Sequence, residues 1–250
     1  MSKLADRIRK ATRDEPARLG FATSAARTPP PTMLCLARVP PDKAGDAIDK
    51  GADAAIIESA DVVKLKSQAN KATETILGAQ LEKPSREEVA ALREAGADFV
   101  VLDIKSAMAE ALLEEKIGVV LSLSEEADDT TLRLLGDVGL DAIIVPAPAS
   151  SLTIEQLLGV RRIAALTRTP LLTGAGVDTD AGRLQLLRDS GVAGIIVDAS
   201  ALGKLQHLRQ TIAALPPRSR KRRDDRSDGA TIPAAAPVGA SADDYDDDED

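Results

Sequence analysis

Apolar residues in this chain come in short blocks separated by polar, helix-forming stretches. Four of the blocks share one spelling: GADAAIIES from position 51, GADFVVLDI from 96, GLDAIIVPA from 139 and GVAGIIVDA from 191. Each starts at a glycine and enters a run of aliphatic, mostly β-branched residues. Short apolar runs bounded by turn residues read as buried parallel strands. Ahead of the glycine lies helical periodicity, clearest in SREEVAALREAGAD. Ser85 is placed as an N-cap, Glu88 three residues on completes a capping box, and Gly96 falls where a helix ends on a left-handed residue. Four more apolar blocks sit between the repeats: MLCLARV (33–39), ILGAQLE (76–82), IGVVLSLS (117–124) and TPLLTGAG (169–176).

Eight strands, each followed by a helical segment, require a parallel sheet with right-handed crossovers. Eight near-equal units over residues 33–215 close into an α/β (βα)8 TIM barrel. An open doubly wound sheet is the alternative, but it rarely needs eight equal units. Residues 1–32 form a leading helix and a leader, a bottom cover or an extra strand. The leader ends in TPPPT, which cannot be helix interior. From 216 onward the chain reads PPRSRKRRDDRSDGATIPAAAPVGASADDYDDDED. That stretch cannot bury enough apolar surface to offset chain entropy, so 216–250 is expected to be a disordered tail, basic and then acidic.

Strand parity predicts which side chains face the barrel interior. In the aligned repeats Ala54, Phe99, Ala142 and Gly194 share one face with Ile56, Val101, Ile144 and Ile196, and then with Glu58, Asp103, Pro146 and Asp198. Ile57, Leu102, Val145 and Val197 take the opposite face, toward the helices. The small-residue face points inward, which places Glu58, Asp103 and Asp198 in one layer at the C-terminal mouth, where barrel active sites lie. The same parity on the other strands adds Arg38, Gln80, Glu82, Ser122 and Ser124, and Lys105 shares the face of Asp103. Arg38, Gln80, Ser122 and Asp198 are therefore expected around a substrate. Crowded carboxylates need a counter-charge, supplied by Arg38, Lys105 or a bound Mg²⁺. Glu58, Asp103 and Lys105 are the catalytic candidates, for proton transfer or for holding a metal. Lys105 suits a general acid better than an amine nucleophile, because Asp103 favours its charged form. The plainer reading makes these residues helix caps, ion pairs and a surface lysine.

Composition narrows the picture. The chain has 250 residues, a formal net charge of −8 and 1% aromatics. That balance speaks against a nucleic-acid partner, and there are no stacking platforms for bases. A single cysteine, Cys35, leaves no disulfide framework and points to a reducing, cytoplasmic setting. No apolar run reaches spanning length and the N-terminus lacks the apolar centre of a secretory signal, so no membrane is expected. His207 reads as a surface or packing residue and Cys35 as core, which sets histidine and Cys/His chemistry aside.

The stretch TPLLTGAGVDTDAGRLQLLRDSGVAGIIVDASALG (169–203) resembles the end of the phosphate-binding (βα)8 barrels. These include thiamine-phosphate-synthase-like and indole-glycerol-phosphate-synthase-like enzymes and flavin-dependent nitronate monooxygenases. In that family, backbone N–H groups after strands 7 and 8 hold a phosphate. The resemblance implies that Gly174, Ala175, Gly176 and Val177 form the strand-7 loop. Asp198, Ala199, Ser200 and Ala201 would form the strand-8 loop. Asp198 stands where the family has glycine, which adds a side chain and a negative charge against a dianion. The implied function is a small-molecule metabolic protein that binds a phosphorylated metabolite or FMN, as a lyase, isomerase or oxidoreductase. The alternative is a degenerate barrel, a pseudoenzyme that serves as a scaffold and meets a protein partner through its charged tail.

Overall fold

The computed structural model describes residues 2–13, 31–58, 62–71, 75–123, 127–148, 151–174 and 179–216. Most of the leader, Ser124, Ala175, Gly176, Val177 and the tail expected from 216 onward, save Pro216 itself, lie outside these residues. Among the described residues no helix is long and apolar enough to cross a membrane.

Eight parallel strands form a closed barrel in sequence order: β1 (Leu34–Val39), β2 (Ala54–Ile57), β3 (Leu77–Gln80), β4 (Phe99–Asp103), β5 (Gly118–Ser122), β6 (Ala142–Val145), β7 (Leu171–Gly174) and β8 (Val192–Asp198). Closure is direct, with Leu34, Leu36 and Arg38 opposite Gly194, Ile196 and Asp198. Helix α1 (Lys3–Thr12) precedes the barrel. Around it run α2 (Ala44–Asp49), α3 (Val62–Lys71), α4 (Arg86–Glu94), α5 (Asp129–Asp137), α6 (Ile154–Thr167), α7 (Ala181–Asp189) and α8 (Leu205–Ala213). After β4 the helical segment shrinks to one 3-10 stretch, Ala109–Leu113.

The four-fold spelling of the sequence has a backbone cause. Gly51, Gly96, Gly139 and Gly191 all carry positive φ, between 80° and 105°. Each turns the chain from a helix end into the next even-numbered strand through a conformation that costs an L side chain roughly 1–2 kcal/mol. At α4 the capping box is complete. The Glu88 N–H donates to Ser85 Oγ at 3.3 Å, and the Ser85 N–H donates to Glu88 Oε2 at 2.8 Å.

Two cores follow from strand parity. Ile57, Leu102, Val145 and Val197 pack outward among the helices. Ile56, Phe99, Val101, Ile144, Leu172 and Ile196 fill the barrel. Phe99 is the bulkiest side chain in the barrel interior, and its ring lies over Gly78. A Cβ added at Gly78 would fall 2.2 Å from the ring, so the glycine makes the space that the ring uses.

Helix α1 closes the N-terminal end of the barrel. Leu4, Ile8 and Ala11 join the interior core. The aspartates of the Gly-x-Asp repeats hold the helix in place. The N–H groups of Lys3 and Leu4 donate to the two carboxylate oxygens of Asp98 at 2.8 and 2.9 Å, which satisfies donors that a helix start leaves open. Ser2 Oγ donates to Asp141, and Arg7 pairs with the buried Asp53 at 3.3 Å.

Burial, with the nearby Asp98 charge, raises the carboxyl of Asp141 above its ordinary 3.8, and the Ser2 bond opposes the rise. A carboxyl raised in the folded state holds its proton more tightly there than in the unfolded chain. Its favourable contribution is full below 3.8 and is lost as pH climbs through the raised value. Asp141→Asn is therefore expected to flatten stability against pH across that window, read by denaturation midpoints beside the unmodified chain.

Cys35 sits in the outer core, and burial, with help from the Asp53 charge, pushes its thiol up to about 12. Because the thiolate is the reactive form, Cys35 is expected to resist a thiol reagent at pH 8 in the native protein. In denaturant it should react within the mixing time of an ordinary thiol assay.

Candidate functional site

The hydrogen-bond register stacks the inward residues in layers. Arg38 faces Ile56, Gln80 faces Val101, Ser122 faces Ile144, and Gly174 faces Ile196. Strand tilt advances each step around the barrel by about one residue. Arg38, Gln80, Ser122 and Gly174 thus make one layer above the aliphatic floor of Ile56, Val101, Ile144 and Ile196. Glu58, Asp103, Pro146 and Asp198 make the next, at the rim.

A pocket of about 240 Å³ opens into these layers. Arg38, Ser122, Gly174 and Asp198 line it above Ile144 and Ile196, and Pro146 and Ala147 close one side. Gly174 contributes by what it lacks, since a Cβ there would already stand 3.2 Å from the Ala147 Cβ. Thr173 Oγ1 lies 3.3 and 3.2 Å from the carbonyl oxygens of Val145 and Pro146, and so ties β7 to the end of β6.

The polar groups are unevenly satisfied. Arg38 Nε and Gln80 Oε1 are buried without a hydrogen-bond partner. Each such group costs about 1–3 kcal/mol relative to a satisfied one. Asp198 is exposed at the pocket edge and starts the 3-10 stretch Ala199–Lys204 without a side-chain cap bond. Arg38 and Asp198 are paired positions on neighbouring strands, yet no ion pair joins them among the described residues.

The structure therefore gathers Arg38, Ser122, Gly174 and Asp198 and leaves the catalytic candidates outside this pocket. Asp103 Oδ1 accepts from the N–H groups of Lys105 at 3.0 Å and Ser106 at 3.2 Å, and lies 3.1 Å from Ser106 Oγ. Its carboxylate shapes the turn after β4. Lys105 is an exposed residue of that turn, and Glu58 is exposed just past β2. Ser200 is exposed and Ala201 half-buried in the 3-10 stretch after β8. Among the described residues no three His, Cys, Asp or Glu side chains form a group able to hold a metal ion.

Sequence reasoning passed over Arg183. It opens the first turn of α7, where its N–H donates to the N-cap Asp180 at 2.7 Å, and its Nη2 donates to Pro148 O at 2.9 Å. Arg183 thereby fastens the start of α7 to the segment leaving β6. An aspartate ahead of a helical run was the available sign of the cap at Asp180, but nothing local showed the reach to Pro148.

No family model and no curated protein matches the sequence. Solved structures do match. The 3-keto-L-gulonate-6-phosphate decarboxylase from Vibrio cholerae has 14% identity and a TM-score of 0.60 over 74% of this chain and 99% of its own. The thiamine phosphate pyrophosphorylase from Pyrococcus furiosus has 14% identity and a TM-score of 0.53, over 72% and 95%. A mutant tryptophan synthase alpha-subunit from Pyrococcus furiosus has 12% identity and a TM-score of 0.54, over 72% and 96%. At these identities the likeness is one of fold. The (βα)8 fold expected from the sequence is shared with these structures.

Proposed function

We propose that the C-terminal mouth of this barrel binds a small phosphorylated metabolite, with the anion held on Arg38. The observation that carries this reading is Arg38, a cation that lines a pocket of about 240 Å³ and keeps a buried Nε without a protein acceptor. Folding leaves such a donor unmatched at a cost, and an anionic ligand removes that cost. Asp198 opposes an anion, but it stands in solvent. A charge at 4 Å is worth about 1 kcal/mol in water and about 4 kcal/mol at the effective dielectric of a protein surface region. The half-buried cation therefore outweighs the solvated carboxylate. The ends of β7 and β8, at Gly174, Ser200 and Ala201, are the second set of donors in this reading.

Size limits the ligand. Pockets for drug-sized molecules run from about 300 to 1,000 Å³, so a pocket of about 240 Å³ suits a short phosphate ester and is small for FMN. The groups at hand, Arg38 as electrostatic anchor and Asp198 as a carboxylate base, suit isomerase or lyase chemistry driven by proton transfer. They supply no redox centre of their own.

Thermal denaturation with inorganic phosphate, pyrophosphate and short phosphate esters tests this reading. At a hundredfold excess over Kd, a ligand that binds only the folded state adds about 2.7 kcal/mol. For a barrel of this size that raises Tm by about 5–10 °C. Unchanged Tm values with every ester at millimolar concentration would sink it.

A further inference from the structure

Arg38 and Asp198 are register partners on the parallel strands β1 and β8 and carry opposite charges. Here both line one small pocket. Arg38 keeps a buried unpartnered Nε, and Asp198 makes neither a cap bond nor an ion pair among the described residues. Gln80 keeps a buried Oε1 without a partner but does not line this pocket. The pocket thus offers one cationic side chain and one carboxylate, over a floor of Ile144 and Ile196.

A phosphate monoester with a plain alkyl or acyl body answers only the donor. It leaves Asp198 unmatched and sets its own charge against it. A ligand with a protonated amine two or three bonds from its anion answers both groups, since an ammonium has three donors and no acceptor. We infer that the ligand of this site is a small zwitterion, an aminoalkyl phosphate in class. Its anion sits on Arg38 and its ammonium on Asp198. This rests on the anion-binding reading given above and adds the second charge. It also gives a reason for the aspartate at position 198, where an anion site alone is better served by glycine.

The test is a matched pair of ligands titrated calorimetrically: 2-aminoethyl phosphate, and propyl phosphate, in which a methyl replaces the ammonium. The full chain is expected to bind the amine at least about tenfold more tightly, the yield of one charge-assisted hydrogen bond. In Asp198→Asn the two affinities should move in opposite directions, weaker for the amine and tighter for propyl phosphate. Asp198 is exposed and caps nothing through its side chain, so this variant is expected to fold. Equal or tighter binding of propyl phosphate by the unmodified chain overturns the inference and leaves the anion site standing. So does a shift of both ligands in one direction in Asp198→Asn. Failure of both esters to bind the unmodified chain overturns the inference together with the reading beneath it.

Discussion

Truncating Phe99 to alanine is expected to cost about 3–5 kcal/mol and to lower Tm by on the order of 10 °C. Phe99 is fully buried and, among the described residues, is the one aromatic ring in the interior core, so its loss leaves a hole that aliphatic neighbours on eight hydrogen-bonded strands cannot collapse into. The partner position gives the sharper form of the prediction. Gly78→Ala puts a Cβ within 2.2 Å of the ring and is destabilising alone, by about 1–3 kcal/mol for an overpacked core. With Phe99→Ala the clash disappears and the new methyl partly fills the hole. The double variant should then be more stable than the sum of the single effects by at least about 1 kcal/mol. Additive losses would mean that Gly78 and Phe99 do not share one space.

Replacing Arg38 by methionine is expected to separate stability from binding. The substitution removes a buried donor that the folded chain leaves unpartnered. Stability should hold or rise by up to about 1 kcal/mol, while affinity for a phosphate ester falls by about 10- to 100-fold. Gains in stability on removing a polar side chain from a concave site are the usual mark of a group kept for its ligand. Arg38→Lys keeps the charge but loses Nε and the planar fork, so it should recover only part of the affinity. A methionine variant that loses stability and binds the ester unchanged would identify Arg38 as a structural residue.

Much of this fold can be read from local signals, because the repeats describe backbone needs. The glycines at 51, 96, 139 and 191 all take the left-handed turn. The Ser85–Glu88 capping box forms as its spacing requires. Period-two alternation separates Ile56 and Val101 inside the barrel from Ile57 and Leu102 outside it. The site was less legible, for reasons that are also physical. Parity gives the layer and the end of the barrel for a side chain, but not which neighbour satisfies it. Asp103, Glu58 and Asp198 share a rim layer by register, yet Asp103 spends its carboxylate on the N–H groups of Lys105 and Ser106. The Asp-x-x-Ser spacing was the available sign of that turn. The aspartates of the Gly-x-Asp repeats posed the opposite problem. Asp53, Asp98 and Asp141 read as part of the strand spelling, and their work is to hold a helix about 40 to 140 residues away. No local pattern carries a contact of that range.

The most direct measurement is a crystal of the full chain soaked with inorganic phosphate. An anion oxygen within about 3 Å of the Arg38 guanidinium, above Ile144 and Ile196, is the predicted result. A phosphate seated elsewhere on the barrel, with Arg38 Nε turned to a protein acceptor, would contradict it.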